Sequence, residues 1–115
     1  MTANSIPRAT SAYDAPLLVR QLLTRLDAQH RDQEIVYAHH RRLTYQMLRE
    51  RITRAANVLD SLGVDVGDTV AVFDWDSHRY LECLFAVPML GAVLHTVNIR
   101  LSPEQILYTM NHAAD

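Results

Sequence analysis

The sequence predicts an α/β protein: an N-terminal helix and a small β-hairpin, followed by a β-α-β portion of a larger parallel sheet. TVAVF (69–73) and AVLHTV (92–97) are continuous apolar runs, which are typical of strands buried on both faces. A segment with helical spacing lies between them. Strand, helix and strand joined by short turns predict two parallel neighbouring strands with a crossover helix.

The N-terminal region divides into a leader and a helix. Residues 1–15 are rich in Thr, Ser and Ala and are expected to form a flexible leader. Asp14 and Pro16 are typical of a helix start, which predicts a helix over about 16–29. Its apolar row is Leu18, Leu22 and Leu26, with Val19 and Leu23 beside it.

A hairpin is predicted next. EIVYAH (34–39) and RLTY (42–45) are β-rich runs, and HHRR (39–42) is the expected turn between them. The adjacent His39 and His40 are followed by two arginines that repel cations. A turn is therefore favoured over a metal site, which needs spaced, convergent ligands.

Two further helices have clear start signals. Thr44 is the expected cap of a helix over 45–63, and Gly63 follows it at the position that favours a left-handed residue. Asp76 or Ser77 is expected to cap HRYLECLFAVPML. Its Pro88 should end or kink that helix near Val87.

The last helix begins with an S-x-x-Q capping box. Ser102 is the expected N-cap, Pro103 the first helical residue and Gln105 the reciprocal partner. Its apolar stripe is Ile106, Leu107 and Met110.

Composition narrows the function classes. The chain has 115 residues, 49% of them apolar, and a formal net charge of −2, which argues against a nucleic-acid-binding domain. A single cysteine excludes an internal disulfide framework and fits a reducing compartment. We find no secretory h-region and no apolar stretch near the roughly 20 residues of a transmembrane helix. The expectation is a cytoplasmic protein.

A few residues invite a chemical interpretation. Asp74 and Asp76 flank Trp75 after a predicted strand, where a carboxylate pair could serve acid–base or Mg²⁺ chemistry. Without other convergent groups, a helix cap plus a solvated carboxylate is favoured. His95 and Cys83 lie within apolar segments and are interpreted as core residues.

Chemical motifs are absent from the sequence. Three glycines (Gly63, Gly67 and Gly91) allow neither G-x-G-x-x-G nor G-x-x-x-x-G-K-[ST], and no nucleophile elbow occurs. DWDSH follows TVAVF where a flavodoxin-like domain would need a Gly- or Ser/Thr-rich loop. We therefore assign no catalytic, cofactor-binding or metal-binding residue.

The order of segments from Leu43 onward is informative. LTYQML, LDSLGV, GDTVAVF and FAVPMLGAVLHTVNIRLSPEQILYTMNHAAD follow one another in the sequence. This order resembles the N-terminal part of the AMP-dependent, adenylate-forming acyl-CoA synthetases, above all the medium- and long-chain fatty-acid–CoA ligases. The resemblance implies that residues 16–115 are an incomplete N-terminal part of the AMP-binding large domain.

The same resemblance implies ATP, Mg²⁺, fatty acid and CoA for the full-length enzymes, which form an acyl-adenylate and then a thioester. Their phosphate loop, adenine and Mg²⁺ segment and catalytic Lys lie downstream of the matched region, so no catalytic residue carries over. Asn98, Arg100 and Ser102 are assigned to a structural turn that orients the last helix.

The expected function is that of an inactive N-terminal fragment of such a ligase, whether a truncated reading frame, an excised piece or a relic. The alternative is a non-catalytic module that self-associates or pairs with a full-length synthetase through the N-terminal helix and hairpin. The apolar strands and helix 78–90 need sheet and helix neighbours, so an isolated chain should aggregate.

Overall fold

A computed structural model of the chain describes residues 7–114, apart from the side chains of residues 25–27. Four helices and four strands follow in the order α1 (Arg20–Gln29), β1 (Glu34–Tyr37), β2 (Arg41–Thr44), α2 (Tyr45–Ser61), β3 (Thr69–Val72), α3 (His78–Met89), β4 (Val93–Thr96) and α4 (Pro103–Ala113). This order confirms the predicted α/β class. None of the described helices is long and apolar enough to cross a membrane.

The β1–β2 hairpin is antiparallel, with Tyr37 opposite Arg41. Its turn is residues 38–40, and Ala38 has a positive φ of 52°. The predicted turn at 39–42 is therefore wrong by one residue at its start and two at its end. Arg42 is a strand residue whose Nη1 lies 2.8 Å from Oε2 of Glu34 on the neighbouring strand.

Strands β3 and β4 are parallel, and Thr69 and Val72 lie opposite Val93 and Thr96. This pairing confirms the predicted β-α-β unit. The predicted burial on both faces is wrong for the described residues, because β3 is only half-buried throughout and Val93 is 55% exposed. The described sheet has two strands, so each of them has one strand neighbour instead of two.

The core lies where α2 packs against α3 and α1. Its buried side chains are Leu23, Leu48, Ile52 and Ala86, with Ile35 of the hairpin partly buried against them. Ile52 is fully buried in this contact. Truncating such a residue to Ala typically lowers the free energy of unfolding by about 2–5 kcal/mol. Tertiary packing of α2 and α3 thus holds the hairpin and the β-α-β unit together.

Helix α1 differs from its prediction. It begins at Arg20 rather than near residue 16, and the Asp14 carboxylate accepts a hydrogen bond from Arg8 Nη1 at 3.0 Å and caps no helix. Residues 7–19 contain no helix or strand. Leu22 of the predicted apolar row is exposed, its neighbour Leu23 is buried, and the side chain of Leu26 lies outside the described residues.

The predicted caps of α2 and α3 are confirmed. Thr44 Oγ1 accepts from the backbone amide of Met47 at 3.2 Å, and Gly63 follows α2 with a φ of 89°. Ser77 caps α3, as predicted for one of the two candidates.

The end of α3 is later than predicted. The helix continues through Pro88 and ends at Met89. The amide of Leu90 donates to the carbonyl of Val87 at 3.1 Å, so the final turn closes over three residues, and Pro88, which has no amide hydrogen, lies one residue before the end of the helix.

Candidate functional site

The carboxyl ends of β3 and β4 form a cleft that carries several polar side chains. Because the strands are parallel, the loops after both strands meet at one edge of the sheet, the usual place for ligands in open α/β sheets. The loops enclose a cleft of about 270 Å³. Its lining includes Asp74, Trp75, Asp76, Tyr80, Asn98 and Arg100.

Asp74 is occupied by its own loop. Its Oδ1 accepts from the backbone amide of Trp75 at 2.7 Å, and its Oδ2 accepts a short hydrogen bond from the Ser77 hydroxyl. The Ser77 hydroxyl and then the Trp75 amide hold the pKa of Asp74 below its usual value. Oδ2 thus holds the residue that caps α3, and Oδ1 holds the backbone of the same loop, so both carboxylate oxygens serve the local structure.

Ser77 completes this arrangement. Its Oγ accepts from the backbone amides of Arg79 at 3.2 Å and Tyr80 at 3.3 Å, while the residue itself is buried. The prediction was that one of the two carboxylates caps α3 and the other is solvated. Instead, Ser77 caps α3, Asp74 accepts the hydrogen bond of the Ser77 hydroxyl, and Asp76 is exposed with a φ of 24°.

Trp75 and Arg100 connect the two loops. The Arg100 guanidinium carbon lies 5.8 Å from the centre of the Trp75 ring, within cation–π range. Trp75 is 65% exposed, so the ring forms one wall of the cleft rather than part of the core. A contact of this kind links the β3–α3 loop to the β4–α4 loop across the mouth of the cleft.

The loop after β4 is a hydrogen-bonded turn. Asn98 Oδ1 accepts from the amide of Arg100 at 3.0 Å, and its carbonyl accepts from the amide of Leu101 at 3.2 Å. Ser102 and Gln105 then form the reciprocal capping box of α4, at 3.1 and 3.3 Å. These hydrogen bonds join Asn98 to residues two and three positions ahead of it. That this turn binds no ligand stays a prediction.

The other candidates lie apart from the cleft edge. His39 and His40 are exposed in the hairpin turn, and His112 stacks on Tyr108 at the end of α4. His95 is half-buried within β4. Within residues 7–114, no three His, Cys, Asp or Glu side chains are grouped as metal ligands would be.

Cys83 is half-buried in the middle of α3, and its thiol is free. Burial raises the pKa of this thiol, and the carboxylates of Glu82 and Asp74 raise it further. The reactive thiolate is therefore disfavoured.

Sequence reasoning missed an ion pair between α2 and α3. Arg51 Nε lies 2.6 Å from Glu82 Oε1, and Glu82 is 6% exposed. Nothing in the spacing of two residues 31 positions apart predicts their contact. The one available signal was a lone carboxylate within the apolar helix HRYLECLFAVPML, since buried carboxylates are usually paired.

The described residues do not fit a nucleotide. Gly63 lies at the end of α2, and the amide of Gly67 donates to the carbonyl of Gly91 at 3.0 Å, so both belong to turns of the fold. No glycine-rich phosphate loop is formed by residues 7–114, and Asp74 is committed to Ser77. We therefore derive no step through ATP or Mg²⁺ at this cleft.

Comparison with known proteins decides the family. The family model described as "AMP-binding enzyme" matches residues 23–115. This chain belongs to that family.

Members of the AMP-binding enzyme family resemble the chain along most of its length. It is 41% identical to the long-chain-fatty-acid–CoA ligase of Thermus thermophilus over 97% of the chain and 21% of the relative. It is 33% identical to the 3-methylmercaptopropionyl-CoA ligase of Ruegeria lacuscaerulensis over 87% of the chain and 19% of that relative. The chain thus spans about a fifth of the length of these relatives.

The fold is that of a solved member. The Mycobacterium tuberculosis fatty acyl CoA synthetase matches with a TM-score of 0.79 at 22% identity, over 85% of this chain and 20% of that one. The chain therefore corresponds to the N-terminal part of an AMP-binding enzyme, and the resemblance stated from the sequence is confirmed.

Proposed function

We propose that residues 16–115 are the N-terminal structural part of a fatty-acid–CoA ligase. The identity to the Thermus ligase, 41% along 97% of the chain, carries the proposal. In the whole enzyme, a fatty acid would react with ATP and Mg²⁺ to give an acyl-adenylate, and CoA would then accept the acyl group. A cytoplasmic location, which the single free thiol Cys83 favours, is part of the same proposal.

We propose that these residues form part of the fold and orient its helices and strands, and that they take no part in the reaction. The polar groups at the cleft edge are engaged with one another: Asp74 with Ser77, Asn98 with the amide of Arg100, and the Arg100 side chain with Trp75. Together these contacts position α3 and α4 relative to β3 and β4. We infer that the polypeptide of residues 1–115 on its own does not form acyl-adenylate.

An exchange assay tests the inactivity. Acid-dependent exchange of labelled pyrophosphate into ATP should stay at background with the isolated 115 residues, a range of fatty acids and Mg²⁺. The Thermus ligase serves as the positive control. Exchange clearly above background would refute the inference.

A chimera tests the structural role. Replacing the matching first fifth of the Thermus ligase with this chain should give a folded enzyme that keeps acyl-CoA formation and the acid preference of its host. The same replacement in the Ruegeria ligase is the matched control, because that enzyme is less similar to the chain and is a ligase of a different acid.

The two hosts also test the fatty-acid assignment. A segment from a fatty-acid ligase should fit the surfaces of the fatty-acid host better, so activity should be retained more fully there. Activity kept in the Ruegeria host and lost in the Thermus host would contradict the assignment.

Exposed apolar side chains support a second candidate function, an assembly module. Val93 on β4 and Leu107 and Tyr108 on α4 are 55%, 61% and 68% exposed. Such surface is usual where a protein contacts another polypeptide. A module of this kind would self-associate or pair with a full-length synthetase. Sedimentation at several concentrations tests it: a defined dimer or a defined complex with the Thermus ligase supports the module, whereas open-ended aggregation favours the fragment.

A further inference from the structure

His78 forms a contact between the hairpin and the β-α-β unit. It is the first residue of α3, and its ring centre lies 5.5 Å from that of Tyr37 at the end of β1, with the rings tilted by 49°. The imidazole Nδ1 is buried and has no hydrogen-bond partner in the described part of the chain. A neutral imidazole tolerates this position, since one of its two nitrogens carries no proton.

The surroundings of His78 oppose a positive charge. Arg41 on β2, Arg51 on α2 and Arg79 on α3 all repel a protonated imidazole. Glu82, one turn further along α3, attracts it, but the Glu82 carboxylate is already paired with Arg51 at 2.6 Å. A helix N-terminus also disfavours a cation.

Burial is the main reason that the pKa of His78 lies below its ordinary value of 6.5, with the three arginines adding to it. Besides Glu82, two neighbours favour the cation: the Asp74 carboxylate, whose pKa the His78 charge lowers, and the Tyr37 ring, through a cation–π contact. The Tyr37 and His78 rings are tilted by 49° to each other, and the three arginines repel a cation, so the neutral imidazole of His78 is favoured overall.

We propose that protonation of His78 loosens the contact between the β1–β2 hairpin and the N-terminus of α3, so that the hairpin is a pH-sensitive part of the fold. Both nitrogens of a protonated imidazole are donors, so the buried Nδ1 would carry a proton with no acceptor. Turning the ring out to water satisfies the proton and removes the ring from Tyr37. Ile35 and Leu43 keep the hairpin attached to the rest of the chain, so the change is local.

Hydrogen exchange read by mass spectrometry tests the proposal on the 115-residue chain, at concentrations where light scattering shows no aggregation. After correction for intrinsic exchange rates, protection of residues 34–44 should fall several-fold between pH 7.5 and pH 5. Protection of α2 over residues 48–59 should change much less. The H78F variant keeps an aromatic ring without a titrating nitrogen, so its hairpin protection should not depend on pH.

Two variants complete the experiment. H112F removes the exposed histidine that stacks on Tyr108 and should leave the pH response of the hairpin unchanged. H78Q, which is neutral and polar, decides the result if the larger Phe disturbs the hairpin at both pH values. Equal hairpin protection at both pH values in the unaltered chain would overturn the proposal, as would a pH response that survives in H78F and H78Q.

Discussion

The Arg51–Glu82 pair provides the most discriminating test of how α2 and α3 are held together. Changing Arg51 to Met keeps a long, flexible side chain but leaves the Glu82 carboxylate without its guanidinium partner. The Glu82 side chain is 8% exposed, so water replaces the lost hydrogen bonds poorly. The expected result is a less stable contact between the two helices.

The magnitude follows from the burial of the pair. Breaking a fully buried ion pair costs about 3–5 kcal/mol, and losing a hydrogen bond to a charged group costs about 1.5–3 kcal/mol. The Arg51 side chain is 30% exposed, which weakens the pair below the fully buried limit. We therefore expect R51M to lower the free energy of local opening of α2 and α3 by about 2–3 kcal/mol.

A matched control lies on the same helix. Arg54 contacts Glu50 at 3.5 Å, but these side chains are 72% and 55% exposed. R54M should therefore change the opening free energy by less than about 0.5 kcal/mol, as is usual for surface pairs. The double variant R51M/E82M removes both charges and should recover most of the lost stability, because no unpaired charge remains buried.

Amide hydrogen exchange measures these opening free energies for α2 and α3 separately, without requiring cooperative unfolding of the whole chain. The reasoning is refuted if R51M and R54M have the same effect. It is also refuted if R51M/E82M is as unstable as R51M, because the loss would then come from packing and not from an unpaired carboxylate.

Three further outcomes are expected. Ser77→Ala should destabilise α3 by about 1 kcal/mol, since two backbone amides lose their acceptor; an unchanged exchange rate in residues 78–89 would count against the cap. The pKa of Asp74 is lower in the folded chain than its ordinary 3.8. Its contribution to the free energy of unfolding is therefore present above pH 3.8 and is lost as the pH falls through the folded pKa. Circular dichroism between pH 5 and pH 2.5 should show a shallower loss of structure for D74N than for the unaltered chain. The isolated chain should aggregate or bind a hydrophobic dye through apolar residues such as Val93, and a sharp two-state melt from a monomer would contradict the fragment proposal.

Local signals in the sequence predicted local structure well. The caps at Thr44, Ser77 and Ser102 each depend on hydrogen bonds to residues two or three positions ahead, so the pattern of residue types contains the whole interaction. The parallel pairing of β3 and β4 was also predictable, because two apolar runs joined by a helix have few other arrangements.

The errors have a common physical cause. Helix α1 starts at Arg20, and Asp14 is paired with Arg8 rather than capping a helix; among the described side chains of α1, Leu23 is buried and Leu22 of the predicted row is exposed, because contact with α2 selects which helix face is covered. Competition between alternative partners decides such cases. Spacing along the chain does not contain that information.

The candidate site also combines features that the sequence predicted with contacts that it did not predict. The sequence placed Asp74, Asp76 and Trp75 after a strand, and parallel pairing brought them to one edge with Asn98 and Arg100. The commitment of Asp74 to Ser77 and the stacking of Arg100 on Trp75 depend on side-chain directions. These contacts engage Asp74 and Arg100 with other residues of the edge, while Asp76 stays exposed.

By itself, the sequence determined the order of helices and strands and the caps of α2, α3 and α4, because these depend on residue types at short, regular spacings. It also carried the resemblance to the family that comparison with known proteins confirmed. Only the tertiary structure decided that Glu82 is buried against Arg51 and that His78 lies against Tyr37. Those pairs join residues 31 and 41 positions apart: the first forms where α2 packs on α3, and the second where the hairpin meets the N-terminus of α3. Separations of this size have no signal in local spacing.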